Sequence, residues 1–551
     1  MKSEHTIAVL HGYLLEGSGS NLWTRSIISS LCRRGKTVHL FCQENHGDIY
    51  PFITEMRIYE RDGFCRVAWS RDSVEPGRCI LHKPMLGDLL PVYVRDRYEE
   101  FTRVVPMIEL SDSEIGAYIE CNVEVVARVV REEGIGIIHA NHAVLMPEVA
   151  RRVRKLCGTP FVVMPHGSAI EYAVKKDSRF RDFAAAAFRE SAGMFVISNE
   201  IRRRVLDLFP EIEGLDLKMR ELNLGVDTTL FRTLEPAGRA EQIDGFLQYM
   251  ADVPRGRQAD APEKLRSGLE NRSGTSVEQL QTLFTEIGNY DHKKPDENLE
   301  ESIRSIDWEH DEIMLFVGRF IASKGLQAVV TALPDLLEHH PRLRLIAIGH
   351  GPQREVMEAF LQALERGDEA LARFIAAHGR DLEMGGLSGP YKELEAYWDS
   401  LGETGTRQWF ERAQNMIRRD TVVFTGYLTH PMLCYLFPCT DVSVFPSVVA
   451  EAGPLVFLEA LASGSFPLGT DFAGMGASIN STIPWVSESV ADAMRLRPDP
   501  HHLISDIAAR AHTALGFGGA HREVLRDVAV GKYDWQAVSL GLYEALQAWS
   551  G

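Results

Sequence analysis

The segment 441–464, DVSVFPSVVAEAGPLVFLEALASG, contains residues that are well suited to binding an anion. Its apolar start predicts a buried strand, and a turn and a helix follow, with Gly453 and Pro454 as the first helical positions. Proline is common in a first helical turn because its missing N–H would have no intrahelical acceptor there. The next amides, those of Leu455 and Val456, therefore point out of the helix end, where the helix dipole also favours negative charge. This helix start predicts a phosphate-binding site.

Two carboxylates flank this predicted anion site. Glu451 precedes the helix and Glu459 lies inside it, with seven residues between them. Because carboxylates accept hydrogen bonds from hydroxyl groups, the pair could hold the two hydroxyl-bearing ends of a molecule whose middle is a diphosphate. A nucleotide-sugar has this layout. The alternative is a surface helix with two solvated glutamates.

A second stretch, EIMLFVGRFIASKGL, places two cations after a predicted strand, Glu312–Val317. Gly318 turns the chain, and Arg319 follows at the carboxyl end of the strand, where ligands bind in parallel α/β sheets. Ser323 predicts a helix N-cap, which would place Lys324 in the first turn. Because a lysine there opposes the helix dipole, we expect an anion to offset the mismatch. A forked arginine and a point-charge lysine suit a diphosphate, although ordinary surface charges are the alternative.

Together these two stretches resemble a known family. Glu451 and Glu459 are similar to the E-x7-E signature, and Arg319 with Lys324 is similar to the G-R-x4-K pattern, of retaining glycosyltransferases of the family-four (group one) type. The resemblance implies the GT-B architecture. In that α/β fold two Rossmann-like domains face a central cleft, and here we expect helical insertions in the second domain.

The resemblance also implies roles for individual residues. Arg319 and Lys324, with the helix-end amides, would stabilise the leaving diphosphate. Glu451 would hold hydroxyls of the donor sugar, and Glu459 would hold the ribose. His166, in PFVVMPHG, matches the histidine that contacts the donor sugar in this family. The predicted catalytic group is therefore Arg319, Lys324, Glu451 and His166.

Glycine-rich turns after predicted strands would let a nucleotide come close to the backbone. Gly349 and Gly351, in LRLIAIGHGP, resemble the I-G-x-G-P turn of the family. Gly426 and Tyr427, in TVVFTGYL, are expected to lie nearest the base and to recognise it mainly through backbone groups. Gly19, in HGYLLEGSGSN, is expected to face the donor phosphates and the acceptor, with a plain tight turn as the alternative.

Composition narrows the class of protein. A chain of 551 residues is long enough for two or three domains, and its formal charge of −18 argues against a general nucleic-acid binder. The start, MKSEHTIAVLHG, lacks the pattern of a secretory signal, and no apolar run approaches the roughly 18 residues that span a bilayer. The eight cysteines show no metal-like spacing, so reduced thiols and a cytoplasmic location are expected.

The order of predicted elements indicates two domains. Strands alternate with helices before residue 225, which predicts a parallel sheet with helices on both faces. We expect an acceptor-side domain over 1–225, to which a C-terminal helix within 531–551 returns, and a nucleotide-sugar domain over 226–530. Insertions are expected at about 233–310 and 353–420.

The acceptor side is less well defined by the sequence. Residues 44–110 contain short extended pieces and follow early strands of the first domain, so they are expected to shape the acceptor side of the cleft. His11, His139 and His142 also lie at strand ends. An ordinary core or surface role is favoured for these three histidines, with acceptor contact as the alternative.

The expected reaction is transfer of a hexose, with retained configuration, from a UDP- or GDP-sugar to a hydroxyl acceptor, which is expected to be a small soluble molecule or a saccharide. No acidic metal motif is evident, so no metal and no other cofactor is expected. A lipid-linked acceptor, a nucleotide-sugar epimerase and a non-catalytic nucleotide-sugar sensor are the alternatives. The basic clusters RRVRK and RRR leave peripheral membrane contact open, but a solvated helix face is favoured, and a homo-oligomer is left open.

Overall fold

The computed structural model describes residues 6–16, 18–60, 63–87, 89–93, 100–270, 275–383, 388–450 and 453–550. The chain divides into two compact units. The N-terminal unit comprises residues Met1–Gly225 together with Lys532–Gly551, and the C-terminal unit comprises Val226–Gly531.

The strands are β1 Thr6–Leu10, β2 Thr37–Phe41, β3 Ile53–Tyr59, β4 Cys65–Ser70, β5 Arg78–Pro84, β6 Leu89–Val92, β7 Arg103–Pro106, β8 Ile135–Asn141, β9 Phe161–Met164, β10 Gly193–Val196, β11 Met219–Glu221, β12 Glu312–Val317, β13 Leu343–Ile348, β14 Val422–Gly426, β15 Val442–Phe445, β16 Phe466–Thr470 and β17 Arg495–Leu496.

The helices are α1 Gly19–Arg33, α2 Asp112–Glu133, α3 Met146–Cys157, α4 Gly167–Ala169, α5 Ser178–Glu190, α6 Asn199–Leu208, α7 Arg239–Met250, α8 Ala261–Glu270, α9 Val277–Ile287, α10 Leu299–Arg304, α11 Leu326–His339, α12 Arg354–Arg366, α13 Glu369–Leu382, α14 Lys392–Met416, α15 His430–Leu436, α16 Leu455–Ser463, α17 Ala473–Asn480, α18 Glu488–Ala493, α19 Leu503–Gly516, α20 Arg522–Val528 and α21 Trp535–Trp549.

The N-terminal unit is built on a nine-stranded sheet of order β11-β10-β9-β8-β1-β2-β5-β3-β4. Neighbouring strands run parallel except for the β3–β4 pair, which is antiparallel and lies at one edge. Strands β6 and β7 form a separate parallel pair. The central strands are apolar runs that are buried along their length, as expected where helices cover both faces of a parallel sheet.

The C-terminal helix α21 packs within the N-terminal unit through two tryptophans. The Trp549 ring lies over Gly193, and the Trp535 ring lies over Gly225. A Cβ atom at either glycine would come within 2.2 Å of the ring, so only glycine leaves room for this packing. These contacts hold the C-terminal helix against β10 and against Gly225.

The C-terminal unit is built on a six-stranded sheet of order β14-β13-β12-β15-β16-β17, in which every neighbouring pair is parallel. The two expected insertions are helical: α7 to α10 fill the first, and α12 to α14 fill the second. The predicted α/β class with parallel sheets and helical insertions is therefore confirmed.

Two helices of the N-terminal unit begin after turns at strand ends. Helix α3 begins at Met146, after a turn that holds His142 and Leu145 at φ values of 70° and 61°. Helix α1 begins at Gly19, and the Ser18 side chain caps it by accepting a hydrogen bond from the Asn21 amide. Both turns follow strands of the central sheet.

Candidate active site

In the C-terminal unit, the loops that follow β12, β13 and β14 are held together by backbone hydrogen bonds. The Gly318 amide donates to the Ile348 carbonyl at 3.0 Å, and the Gly349 amide donates to the Gly426 carbonyl at 2.9 Å. The Phe320 amide donates to the His350 carbonyl, in the β13 turn, at 2.7 Å. The carboxyl ends of three neighbouring strands thus form one connected surface.

The predicted glycines of the β13 turn have a structural reason for being glycine. Gly349 and Gly351 have φ values of 146° and 147°. A Cβ atom at Gly349 would lie 1.8 Å from the Gly318 carbonyl oxygen, and one at Gly351 would lie 2.5 Å from the Phe320 carbonyl oxygen. Close packing of the two loops therefore requires both glycines, and their predicted contact with a nucleotide stays a prediction.

The position of Lys324 differs from the sequence expectation. Residues Ala322–Lys324 form a short 3₁₀ turn, and α11 begins at Leu326 after Gly325, whose φ is 79°. Ser323 does not cap a helix, and Lys324 does not lie in a first turn, so the dipole mismatch inferred from the sequence was wrong. The cause is tertiary: the Pro446 carbonyl approaches Gly325 so closely that a Cβ there would lie 2.3 Å from its oxygen.

The turn that carries Lys324 is fixed between two other loops. The Ser323 carbonyl accepts hydrogen bonds from the Val448 amide at 2.9 Å and from the Ser447 hydroxyl at 3.3 Å, both in the loop after β15. On the other side, a Cβ at Gly318 would lie 4.0 Å from Lys324 Cγ. The lysine stem therefore lies beside the glycine turn, as the predicted cationic pair requires.

Arg319 is exposed, and its side chain forms no ion pair or hydrogen bond within the described ranges of the chain. The positive charge of Arg319 interacts with Glu383, whose carboxylate accepts a hydrogen bond from the Ala322 amide at 2.8 Å. Burial raises the pKa of Glu383, and the amide together with Arg380 and Arg319 offsets part of that rise. Arg319 is thus a cation available to a ligand at the end of β12.

The predicted anion site at α16 begins two residues later than expected. Pro454 has extended dihedrals, with φ −87° and ψ 106°, and is the N-cap, so Gly453 and Pro454 precede the helix and Leu455 is its first residue. No acceptor for the amides of Leu455 or Val456 is found among the residues that the structure describes. The predicted bare helix end is therefore present, although its two leading residues are not helical.

Glu451, the first of the two predicted carboxylates, lies outside the described residues. Its role in holding the donor sugar stays a prediction. Ser447 and Val448, which precede it after β15, are anchored on the Lys324 turn as described above.

Glu459, the second predicted carboxylate, is 3% exposed. Its Oε1 lies 2.5 Å from Nδ1 of His430, the first residue of α15. Its Oε2 is buried and has no hydrogen-bond partner in the described part of the chain. A buried carboxylate oxygen without a partner is costly, and a ligand hydroxyl would satisfy it.

His430 was missed by the sequence reasoning. The signal that could have found it is its place four residues after Gly426, in the loop that leaves β14. Because ligands in parallel sheets bind beyond the carboxyl ends of strands, a histidine in such a loop is a candidate contact. Its pairing with Glu459, on a different helix, could not be read from the sequence.

Gly426 and Tyr427 lie at the exit of β14, as predicted. Gly426 has φ 74°, and the Tyr427 ring packs edge-on against the ring of His350, with centroids 5.3 Å apart. The Tyr427 amide, however, donates to the Lys294 carbonyl at 3.2 Å. This backbone donor is already used, so recognition of a base through it is not supported.

In the N-terminal unit, Gly19 is the first residue of α1 and is exposed. No atom of the described residues would come within 4 Å of a Cβ there. Packing therefore does not require glycine at this position, in contrast with Gly349. The open space fits the predicted approach of a ligand, which stays a prediction.

His166 lies two residues after the end of β9 and is 7% exposed. Its Nε2 is buried and has no hydrogen-bond partner in the part of the chain described. Its ring lies 6.0 Å from that of Trp23 and 5.0 Å from that of His142. Burial, with His11 and His139 nearby, lowers the pKa of His166 to about 3, so its ring is neutral at neutral pH.

The structure brings all four predicted strand-end histidines together. The rings of His11 and His142 stack at 5.3 Å. Burial lowers the pKa of His11 to about 4 and of His139 to about 3, and holds that of His142 well below its usual range. His11 hydrogen-bonds the Leu14 carbonyl, whereas both ring nitrogens of His139 and of His142 lack partners among the described residues. The cluster is a neutral, buried group of aromatic rings in which several ring nitrogens have no hydrogen-bond partner among the described residues.

No helix among the described residues is both long and apolar enough to cross a bilayer. No three histidine, cysteine, aspartate or glutamate side chains of those residues come together as they would around a metal ion. The expectation that no metal is needed stays a prediction.

The chain matches two families of known proteins. Residues 18–215 match the family described as Glycosyl transferase 4-like domain, and residues 299–371 match the family described as Glycosyl transferases group 1. An uncharacterized glycosyltransferase of Methanocaldococcus jannaschii is 25% identical over 239 residues, which are 43% of this chain and 45% of that relative. The match thus spans less than half the length of this curated relative.

Solved structures share the fold over the whole chain. Sucrose-phosphate synthase from Thermosynechococcus elongatus has a TM-score of 0.52 at 17% identity, covering 99% of both chains. A glycosyltransferase from Rickettsia africae has a TM-score of 0.53 at 14% identity, also covering 99% of both chains. HepE of Anabaena, in complex with UDP and glucose, has a TM-score of 0.51 at 12% identity, covering 99% of this chain and 100% of HepE.

At these identities the solved structures indicate the fold and not the substrate. The family matches cover parts of both units and include the predicted cationic pair, Arg319 and Lys324. By these matches, residues 18–215 and 299–371 are similar to glycosyl transferase domains, and the chain has the α/β fold of the GT-B glycosyltransferases.

Proposed function

We propose that this protein is a retaining glycosyltransferase that moves a hexose from a nucleoside diphosphate sugar to a hydroxyl acceptor. The observation that carries the proposal is the surface at the carboxyl ends of β12 and β15. There Arg319 is exposed, Lys324 lies against the Gly318 turn, and the α16 amides have no acceptor among the described residues. A diphosphate needs such a set of cations and N–H donors.

The leaving diphosphate is the chemical centre of the proposed reaction. As the bond between the sugar and the phosphate oxygen breaks, negative charge grows on the diphosphate. Groups that bind this charge more tightly in the transition state than in the ground state lower the barrier. We assign this role to Arg319, Lys324 and the amides of Leu455 and Val456. The leaving phosphate oxygen takes the proton of the acceptor hydroxyl on the same face of the sugar, so the configuration is retained.

The remaining predicted residues hold hydroxyl groups. The unpartnered Oε2 of Glu459 is proposed to accept a hydrogen bond from the ribose, and Glu451 one from the donor sugar. His166 has a lowered pKa of about 3, so its neutral ring can exchange a hydrogen bond with a sugar hydroxyl without adding charge. In this proposal the side-chain cations and amides neutralise the diphosphate, and no metal or other cofactor is required.

The donor class is proposed as a UDP- or GDP-sugar. Support comes from the fold shared with HepE, which was solved with UDP and glucose, and with sucrose-phosphate synthase. The acceptor is proposed to be a small soluble molecule or a saccharide that reacts in the cytoplasm. A lipid-linked acceptor and an epimerase reaction are the other candidates, and they differ in measurable products.

The test begins with a thermal-shift screen of UDP-glucose, GDP-mannose and related donors, followed by mass spectrometry of products formed from mixed acceptors in the presence and absence of EDTA. We expect a raised unfolding temperature with one nucleotide class and acceptor-dependent release of the nucleoside diphosphate, unchanged by EDTA. Release that does not depend on an acceptor, together with an altered donor sugar, would indicate an epimerase. Inverted configuration of the product, read from its NMR couplings, would contradict the retaining mechanism.

A further inference from the structure

Part of the first insertion forms an extra edge beside β14. The Asp296 amide donates to the Thr425 carbonyl at 2.9 Å, and the Tyr427 amide donates to the Lys294 carbonyl at 3.2 Å. Pro295 pairs with Gly426 in the antiparallel sense between these two bonds. The insertion thus extends the C-terminal sheet at the strand exit where the nucleotide is expected.

The approach of this segment explains why position 426 is glycine. A Cβ there would lie 2.5 Å from Asp296 Oδ1 and 2.8 Å from the Lys294 carbonyl oxygen. Gly426 also has φ 74°, which disfavours any side chain. The exit of β14 and the insertion are therefore fitted to each other.

Asp296 is held in place by a buried ion pair. Its Oδ2 accepts a hydrogen bond from Arg354 Nη2 at 2.6 Å, and both side chains are nearly inaccessible to solvent. Arg354 is the first residue of α12, three residues after Gly351, and its guanidinium lies 3.8 Å from the centroid of the Phe424 ring on β14. One arginine thus connects the β13 turn, β14 and the insertion.

Further buried charges support this arrangement. Arg257 of the insertion is 1% exposed and contacts Glu355 at 3.2 Å, and it also pairs with Glu358. The Tyr290 hydroxyl donates to the same Glu355 at 3.2 Å. Burial raises the pKa of Asp296 and of Glu355, and the two arginines offset part of that rise.

Covering an exposed sheet edge does not account for this cluster. An edge strand can be protected by a short segment or by a few surface charges, without buried ions. Buried ion pairs are costly to desolvate, and fixing one arrangement of the chain is their best-attested use. Arg354 Nε and Nη1 are also buried and have no partner within the described ranges. The cluster therefore fits a device that sets the position of the insertion segment.

The location of the insertion segment relative to the proposed donor indicates which part of the donor lies near it. Glu459, the proposed ribose contact, pairs with His430, which follows Tyr427 by three residues in the loop after β14. With the diphosphate at β12 and β15, a base attached to that ribose would lie toward β14. The rings of Tyr427 and His350 stand there at the exits of β14 and β13.

The geometry points to residues 290–297 of the insertion as a wall of the nucleobase site, held in position by the Asp296–Arg354 pair. This inference rests on the proposed function, because it needs a nucleoside diphosphate at the C-terminal unit. Asp296 and Arg354 act as positioning residues for base recognition. They are not assigned contact with the reacting atoms.

The first test is hydrogen–deuterium exchange of the wild-type chain with UDP, GDP and inorganic pyrophosphate as probes. We expect UDP or GDP to slow exchange in peptides covering 288–298 as well as 318–326 and 453–460. Pyrophosphate should slow exchange only in the last two. Protection of 318–326 and 453–460 by a nucleotide without protection of 288–298 would overturn this inference and leave the proposed function standing. No protection of 318–326 or 453–460 by any probe would overturn the proposed function itself.

The second test separates positioning from folding with matched variants. Asp296→Ala should weaken nucleoside diphosphate binding about tenfold or more, as expected when a recognition element shifts, and should leave pyrophosphate affinity unchanged. Asp296→Asn keeps an oxygen acceptor for Arg354, so its affinity should lie between those of Asp296→Ala and wild type. If Asp296→Ala does not fold, Asp296→Asn carries the test. Equal losses for pyrophosphate and nucleotide, or no loss, would overturn the assignment.

A control variant removes another ion pair between the same elements. Arg266 of α8 pairs with Glu365 at 2.9 Å, near the far end of α12. At 1.5 Å per residue, Glu365 lies about 16 Å along the helix from Arg354. Glu365→Ala should therefore leave the affinity for both probes unchanged. If Glu365→Ala weakens nucleotide binding as much as Asp296→Ala does, the effect is general loosening of the insertion, and the inference is wrong.

Discussion

The two units follow the same plan of a parallel sheet between helices, yet the carboxyl ends of their strands carry opposite kinds of chemistry. In the C-terminal unit this edge holds exposed or half-buried cations, with Arg319 and Lys324 beside the glycine turn, and amides that have no acceptor among the described residues. In the N-terminal unit the same edge holds histidines that burial keeps neutral, His166 among them. One edge suits an anion, and the other suits uncharged hydroxyl groups.

In the proposed reaction, this difference would divide the binding of the donor diphosphate and of sugar hydroxyl groups between the two units. A diphosphate carries the charge of the donor, so the unit that holds it needs fixed positive groups. Sugar hydroxyl groups are neutral and need hydrogen-bonding groups that add no charge. The fold supplies the same strand ends in both units, and the side chains decide the chemistry.

The largest expected effect on activity is at the cationic edge of the C-terminal unit. Lys324→Ala should lower turnover about 100- to 1,000-fold, the range found when one group that stabilises transition-state charge is removed. The fold should remain intact, because Lys324 lies in a short turn outside α11. Steady-state kinetics measures the turnover, and circular dichroism shows whether the fold is intact. Lys264→Ala, at an exposed lysine of α8, is the control and should change neither. Near-normal turnover of Lys324→Ala would remove the leaving-group assignment.

Glu459 tests whether the same edge also holds the ribose. Its charged carboxylate has one buried oxygen without a partner among the described residues, and a hydrogen bond to a charged group contributes about 1.5–3 kcal/mol. Glu459→Ala should therefore weaken binding of the nucleoside diphosphate by about tenfold to 150-fold, measured by calorimetry, while pyrophosphate binding is unaffected. Glu411→Ala, an exposed position on α14, serves as the control. An unchanged nucleotide affinity would contradict the ribose role.

The neutral edge predicts a dependence of stability on pH. The pKa values of His11, His139 and His166 in the folded chain, about 4, 3 and 3, lie below the value of 6.5 that an exposed histidine has. Protons therefore bind the unfolded chain first. The contribution of these histidines to the free energy of unfolding is complete above pH 6.5. It is lost as the pH falls toward 4, by about 1.4 kcal/mol per pH unit for each histidine.

Urea unfolding of the N-terminal unit between pH 7 and 5 measures this slope. His139→Leu should make this slope shallower by the contribution of one histidine, about 1.4 kcal/mol per pH unit. His501→Leu, at an exposed position, should leave the slope as in the wild type. A slope that is the same in the wild type and in His139→Leu would show that His139 is protonated in the folded chain.

The smallest expected effect concerns Gly19. Gly19→Ala should leave the unfolding temperature within a few degrees of the wild type, because a Cβ there meets no atom of the described residues within 4 Å. A severalfold loss of turnover without loss of stability would place a ligand close to Gly19, and unchanged kinetics would favour a plain turn. Gly349→Ala is the contrast: its Cβ would lie 1.8 Å from the Gly318 carbonyl, so this variant should lose stability outright.

Local patterns allowed most of the fold and many of the site positions to be predicted. Apolar runs of strand length predicted β12 and β15, and the bare amides of Leu455 and Val456 followed from the position of Pro454 in the sequence. These features depend on residues close together in the chain. The predicted cap at Ser323 failed because the Pro446 carbonyl, more than a hundred positions away, forces Gly325 into a left-handed turn.

The order of residues by itself determined the parallel α/β class, the helical insertions and the identity of the charged groups at the strand ends, because periodicity and strand–helix alternation are local properties. Only the tertiary structure decided that Glu459 meets His430, that four histidines share one buried edge, and that Asp296 of the insertion reaches Arg354 and the exit of β14. Those contacts join residues distant in the chain. They form because burying charge and polar atoms is tolerable only where a partner arrives from elsewhere in the fold.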